Sequence, residues 1–207
     1  MERFARLTSP LIPLSIDNVD TDQIIPARFL TTSTRSGLGD VLFADWRFLS
    51  DGRPDPGFAL NRPEAQGARF LLAGANFGCG SSREHAVWAL TAWGLRAVIA
   101  LSFADLFRNN ALKNGLLCLV VSEVMHRALF SMVAERPLSP VTIDLAEQTL
   151  SLPDGRSASF PIGAFHKDCL LKGLDPLNYL LAFEARIAAY EATHKKVEPL
   201  LRDADMA

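Results

Sequence analysis

The chain is 207 residues long, 49% hydrophobic and close to charge balance, with 21 basic and 23 acidic side chains and a formal net charge of -2. Such a composition supports a full core and excludes the basic footprint of a nucleic-acid binder or an electrostatic membrane anchor. No apolar run reaches the roughly 18 to 20 residues of a membrane-spanning helix, and Met1–Ser9 carries charges without the apolar stretch of a signal peptide.

In chain order, Leu11–Ile16 alternates weakly around Pro13 and reads as an edge strand, because proline cannot donate to a sheet ladder. Asn18–Pro26 reads as a polar loop leading into a short buried piece. Thr31–Gly39, rich in Thr, Ser, Arg and Gly, has no apolar periodicity and is expected to be a mobile loop. Asp51–Pro63 is a second loop. Ala68–Ala73 is a short apolar run of the kind found in buried strands, and a glycine-rich stretch follows over Asn76–Ser82. Arg83–Trp93 carries a helical stripe at Ala86, Val87, Leu90 and Trp93, closed by Gly94. A strand (Ala97–Leu101), a helix (Phe103–Leu112, stopped by Asn114-Gly115), a strand (Leu116–Val121) and a helix (Glu123–Glu135) complete a β-α-β-α-β-α alternation. That alternation predicts an α/β fold with parallel strands flanked by helices. Beyond Pro137 the character changes to short strands at Val141–Leu145, Thr149–Leu152 and Ser157–Ile162, with Asp154-Gly155 as a hairpin turn. Pro176–Tyr190 has the period of one helix, and the polar tail from Lys195 is expected to fray. One domain spanning 1–207, with a C-terminal helical extension over about 176–207, accounts for the pattern.

Cys79, Cys118 and Cys169 lie far apart, and no Cys-x-x-Cys pair occurs. A sparse, odd count reads as reduced thiols in a cytoplasmic protein, and the spacing argues against a zinc or iron–sulfur site held by this chain alone.

Chemistry concentrates in Gly74-Ala-Asn-Phe-Gly-Cys-Gly-Ser-Ser-Arg-Glu-His85, between a predicted strand and a predicted helix. Glycines let backbone approach a ligand, and unpaired N–H groups at a helix start attract anions. Ser81 and Ser82 fall at the N-cap or in the first turn. Arg83 offers a two-pronged donor suited to a carboxylate, so the implied ligand is a small carboxylate-bearing anion. The structural alternative is that a serine here is only an N-cap, Glu84 an ordinary first-turn acid and His85 a satisfied structural histidine. A phosphate or dinucleotide loop is a third reading, but the GxxxxGK[ST] lysine is missing. The second strand also ends at Leu101-Ser102, without the acid that grips a ribose.

Asn76-Phe-Gly-Cys-Gly-Ser-Ser-Arg-Glu-His-Ala86 resembles the signature of the aconitase swivel-domain family, in the form carried by isopropylmalate dehydratase small subunits. Asn18-Val-Asp-Thr-Asp-Gln-Ile-Ile-Pro26 resembles that family's N-terminal motif. Arg35-Ser-Gly-Leu-Gly39 with Leu42-Phe43 and Asp45-Trp-Arg-Phe48 agrees, as does Ser102-Phe-Ala-Asp-Leu-Phe-Arg-Asn-Asn110 followed by Lys113-Asn-Gly-Leu116. The likeness covers nearly the whole chain. The run Asp175-Pro-Leu-Asn-Tyr179 and the segment Ala27-Arg-Phe-Leu-Thr-Thr32 depart from the family pattern.

The resemblance implies an α/β aconitase swivel-like domain, with a mixed, partly parallel sheet flanked by helices plus short C-terminal strands and a C-terminal helix, and the isomerisation of 2-isopropylmalate to 3-isopropylmalate by dehydration and rehydration. It implies Ser81 as the base, with Ser82, Arg83 and Arg35 contacting a small dicarboxylate substrate and Asp22 supporting the site. It further implies that the chain itself binds no metal, and that a large-subunit partner carries a 4Fe–4S cluster. Two alternatives remain at this point: a related hydro-lyase small subunit acting on homocitrate, citramalate or maleate, and a non-catalytic anion-binding module built on the same loop. For Asp22 and Arg35 the structural readings are an Asx-type turn residue and a solvated surface arginine.

Overall fold

The structure, a computed structural model, describes residues 1–30 and 35–194; positions 31–34 of the loop expected to be mobile, and the tail from Lys195, lie outside the described residues. In chain order the elements are β1 (Arg6–Ser9), β2 (Leu11–Leu14), α1 (Thr21–Ile24), α2 (Ala44–Arg47), β3 (Phe70–Ala73), α3 (Glu84–Trp93), β4 (Ala97–Ala100), α4 (Asp105–Lys113), β5 (Leu117–Val120), α5 (Glu123–Glu135), β6 (Val141–Asp144), β7 (Thr149–Ser151), β8 (Ser157–Ser159), α6 (Ala164–Lys172), α7 (Pro176–Leu181) and α8 (Glu184–Thr193). Contacts divide the chain into two units, Met1–Asp175 and Pro176–Ala207.

The α/β class expected from the alternation holds, with the strands sorted into two sheets. One is a four-stranded parallel sheet in the order β2-β3-β4-β5, and the other a four-stranded antiparallel sheet in the order β1-β6-β7-β8. Local sequence explains the division. Every residue of β3 (Phe-Leu-Leu-Ala) and β4 (Ala-Val-Ile-Ala) is buried, as expected for strands covered on both faces. In β6, buried Val141 and Ile143 alternate with half-exposed Thr142 and Asp144, as expected for a strand with one face covered. Pro13 sits in β2, at the edge of the parallel sheet, where a missing N–H costs no ladder bond.

The parallel sheet buries both its faces. On one, Leu14, Leu71, Ala73 and Val98 pack with Val87 and Leu90 of α3 and Phe107 of α4. On the other, Phe70, Leu72, Ile99 and Leu119 pack with Leu129 and Val133 of α5 and with Val141, Ile143 and Leu150 of the antiparallel sheet.

Three elements differ from the sequence expectation. Arg6–Ser9 joins the antiparallel sheet opposite β6 (Leu7 opposite Ile143), although one apolar residue in four gave it no visible periodicity. Ala164–Lys172 is a helix that buries only Cys169 and Leu170, too narrow a stripe to read from sequence. The helix expected over Pro176–Tyr190 is two helices, because at Phe183 the ladder tightens to an i-to-i−3 bond, from its N–H to the Leu180 carbonyl at 2.9 Å. No helix among the described residues is long and apolar enough to cross a membrane.

Candidate active site

In open parallel sheets ligands bind beyond the carboxyl ends of the strands, and the signature segment lies there, after β3. Two isolated parallel bridges, Asp20 with Cys79 and Phe77 with Phe103, carry the pairing past the ends of the regular strands. The segment is fastened on both sides. Gly78 and Cys79 donate their N–H groups to the Val19 carbonyl at 2.8 and 3.2 Å, and Thr21 N–H donates to the Cys79 carbonyl at 2.9 Å. Buried Thr21 also donates its hydroxyl to the Ser81 carbonyl at 2.8 Å. Two glycines are needed on steric grounds. Gly78 has φ +77°, and a Cβ there would run into the Phe107 ring; Gly80 has φ +86°, and a Cβ there would run into the Asp20 carboxylate.

Asp20 caps α1: its carboxylate accepts from Asp22 N–H at 2.7 Å, while its own N–H donates to Gln23 Oε1 at 2.8 Å, a complete capping box. The cap sets Asp22 in the first turn, where its carboxylate accepts from the Arg83 guanidinium in an ion pair. Arg83 is the more enclosed partner, 18% exposed against 51% for Asp22.

The serines do not cap α3. The helix starts at Glu84, and the N-cap position belongs to Arg83, extended at φ −125°, ψ 109°, with no side-chain cap bond. This corrects the expectation of an N-cap or first-turn serine. The bonds from Thr21 and the turn at Gly80 hold Ser81 and Ser82 outside the helix, and the chain enters it one residue later. Ser82 Oγ accepts from Asn110 Nδ2 at 3.3 Å. Ser81 is exposed, and its hydroxyl has no hydrogen-bond partner among the described residues. The start of α3 therefore has no side-chain cap, and the Ala86 N–H closes back on the Arg83 carbonyl at 3.2 Å.

Arg35 is tied to the same edge through a buried side chain. Its Nη2 donates to Asn114 Oδ1 at 2.8 Å, and its guanidinium lies 5.2 Å from the Trp88 ring centre. Asn114 Nδ2 in turn donates to Glu84 Oε1 at 2.7 Å and to the Asn110 carbonyl at 2.9 Å. All five residues selected from sequence, Asp22, Arg35, Ser81, Ser82 and Arg83, therefore belong to one bonded neighbourhood. The sequence reading did not single out Asp20, Thr21, Asn110 and Asn114, which organise it. Asn114 was legible only as a helix stop, and it does occupy the C-cap of α4.

Cys79 sits half-buried beside the serines and donates its thiol to the Asn18 carbonyl at 3.2 Å; burial, and secondarily the Asp20 carboxylate, raises its pKa. Cys118 is buried in β5, and burial pushes its thiol far up, while Cys169 lies apart on α6. Among the described residues no three His, Cys, Asp or Glu side chains are grouped to hold a metal. The donor set of this chain does not fit an iron–sulfur cluster, which needs thiolates gathered at one point.

A parallel sheet carrying a fastened Gly-Ser-Ser-Arg segment at its carboxyl edge, backed by an antiparallel sheet, defines an aconitase-type swivel domain, and the family described as aconitase C-terminal domain matches residues 1–124. A second family, described as LeuD_N, matches residues 127–164. The chain belongs to the family of 3-isopropylmalate dehydratase small subunits. It is 57% identical to that subunit of Chloroflexus aggregans over 94% of this chain and 95% of the relative, and 55% identical to that of Roseiflexus sp. over 93% and 95%. The subunit of Anaeromyxobacter dehalogenans is 54% identical over 92% of this chain and 98% of its own length. Among solved structures, 3-isopropylmalate dehydratase of Methanocaldococcus jannaschii matches with a TM-score of 0.64 and 28% identity, over 89% of this chain and 99% of that one.

Proposed function

We propose that this chain supplies the base and the carboxylate grips for a two-subunit hydro-lyase of leucine biosynthesis that interconverts 2- and 3-isopropylmalate. The observation that carries the division of roles is the serine pair. Ser81 keeps an exposed hydroxyl with no partner among the described residues, two residues ahead of the N-cap of a helix start that has no side-chain cap, where a purely structural serine would have been spent on a cap.

Acting as its alkoxide, Ser81 Oγ takes the proton from the carbon next to the one that loses its hydroxyl; the C–H electron pair becomes the C=C bond as hydroxide leaves, and rehydration delivers the proton from the same oxygen to the carbon that lost the hydroxyl while hydroxide adds to its neighbour. A serine hydroxyl is too weak an acid to be an alkoxide in water. The positive end of the α3 dipole and the Arg83 cation oppose that by stabilising negative charge as it develops. Arg83 grips one substrate carboxylate while Asp22 holds its guanidinium from the other side, and Ser82 donates to the same group. Arg35 takes the second carboxylate.

Departure of the hydroxyl is left to the large subunit, on which we place the family's 4Fe–4S cluster, in keeping with the scattered cysteines here. Those unpaired thiols also suit a cytoplasmic home. The carboxyl edge carries an apolar rim that a partner could cover: Ile16 after β2, Leu106 in the first turn of α4 and Val124 in the first turn of α5 are 38%, 59% and 71% exposed. Turnover of 2- and 3-isopropylmalate should be absent with this chain alone and appear when the large subunit is added. Turnover by the metal-free single chain would refute the division of labour.

A further inference from the structure

Asn114 is 8% exposed and sits at the end of α4, behind the residues assigned to substrate. Its amide has two acceptor lone pairs and two N–H donors, and all four are used. Oδ1 accepts from Arg35 Nη2 at 2.8 Å and from Trp88 Nε1 at 3.1 Å. Nδ2 donates to Glu84 Oε1 at 2.7 Å and to the Asn110 carbonyl at 2.9 Å. The neighbours fix the amide's orientation, because guanidinium and indole can only donate, whereas carboxylate and carbonyl can only accept. A flipped amide would oppose donors to donors. No other residue type of this size supplies two acceptances and two donations; aspartate supplies only the first pair.

These four bonds join three separate pieces of chain. Arg35 comes from the segment before α2, Trp88 and Glu84 from α3, and Asn110 from α4, where its own side chain donates to Ser82 Oγ at 3.3 Å. Arg35 is additionally stacked over Trp88, so Asn114 and Trp88 together hold the guanidinium in place. An exposed arginine on an irregular segment otherwise loses substantial rotamer freedom when it binds a ligand; here much of that freedom is removed in advance.

We propose that Asn114 is a positioning residue for substrate recognition: through its bonds to Arg35 and to the first turn of α3 it fixes the separation between the Arg35 and Arg83 grips, and so the length of the dicarboxylate that fits. This rests on the reading of Arg35 as a substrate contact. Asn114 acts through Arg35 and touches no reacting atom, so its loss is felt in KM before kcat.

The test is a double-mutant cycle in the complex with the large subunit, assayed on 2- and 3-isopropylmalate. Arg35→Ala and Asn114→Ala should each raise KM about tenfold with kcat within about threefold of wild type, and the double variant should be no worse than Arg35→Ala alone, since the two removals break one shared interaction. Asn114→Asp, which keeps the acceptor for Arg35 but faces the Glu84 carboxylate and the Asn110 carbonyl without a donor, should recover only part of the KM lost in Asn114→Ala. If Asn114→Ala does not assemble, Asn114→Ser takes its place; its side chain is too short to reach Arg35, and the same rise in KM is expected. If Arg35→Ala raises KM while the Asn114 variants only melt earlier, or if the two effects multiply to about a hundredfold, Asn114 is a packing residue and the inference fails alone. If Arg35→Ala leaves KM unchanged, the substrate role of Arg35 fails and takes the inference with it.

Discussion

Replacing Ser81 by Ala separates chemistry from architecture, because the fold predicts almost no structural cost. Had Ser81 capped α3, its loss would cost about 1 kcal/mol, which for a chain of this size lowers Tm by roughly 2 to 4 °C. The cap position belongs to Arg83 instead, and the Ser81 hydroxyl is exposed with no partner among the described residues. The bond that fastens this residue uses its backbone carbonyl, reached by the Thr21 hydroxyl at 2.8 Å, and survives the substitution. The stability change should therefore stay within about 0.5 kcal/mol, a Tm shift below about 2 °C. The rate should fall by about 10² to 10⁴, or roughly 3 to 5 kcal/mol of transition-state stabilisation, as expected for loss of the proton-transferring group. The assay pairs melting of the complex with steady-state kinetics on 2- and 3-isopropylmalate, with Ser82→Ala in parallel. Ser82→Ala should give a smaller defect, mainly in KM. Retention of most of kcat in Ser81→Ala, or a Tm fall beyond about 4 °C with activity intact, would show that the serine is architectural and that the base lies elsewhere.

Arg83→Lys keeps the charge but loses the planar fork that pairs with Asp22 and that the proposed mechanism also uses to grip a substrate carboxylate; kcat/KM should fall at least about tenfold, roughly 1.4 kcal/mol, and kinetics within twofold of wild type would make the residue structural. Gly80→Ala forces a side chain into the φ +86° region and against the Asp20 carboxylate that caps α1; a loss of about 1 to 3 kcal/mol, read by thermal or denaturant unfolding, is expected. Cys118 should resist a thiol reagent in the folded protein and react once it unfolds. Because burial raises its pKa above the ordinary 9.0, the unfolded chain ionises first as pH rises. The Cys118 contribution to stability is therefore intact below about pH 9 and shrinks above it, which denaturant titrations across that range, comparing wild type with Cys118→Ala, will check.

The β-α-β-α-β-α half was legible because its strands are continuous apolar runs, its helices carry 3.6-residue stripes, and Gly94 and Asn114-Gly115 stop two of them. Those are local signals, and the structure keeps them within a residue or two. What was not legible is non-local. Nothing in Arg6–Ser9 announces a strand until Val141–Asp144 lies beside it, and two separate sheets cannot be told from one mixed sheet by periodicity alone. The same holds at the site. The Gly-Ser-Ser-Arg segment stands out through its composition, but the serines' exclusion from the helix depends on Thr21, some 60 residues earlier.

An exposed serine hydroxyl in bulk water has no catalytic value, so the role proposed for Ser81 requires that this open edge be covered. The groups assembled here, the Arg83–Asp22 pair, the uncapped start of α3 and Arg35 on Asn114, are oriented by the fold but still wet. Coulombic stabilisation of an alkoxide-like oxygen grows several-fold as the effective dielectric drops from water toward protein values. Burying the apolar rim at Ile16, Leu106 and Val124 under a second subunit would expel that water and make the same preorganised charges effective. Preorganisation on one chain and desolvation by another is a physical reason for a hydro-lyase to divide its site between two subunits. It requires that mutations on the rim, unlike those at Ser81, be overcome by raising the concentration of the large subunit. A Leu106→Asp variant that stays inactive at saturating large subunit, while folding normally, would contradict it.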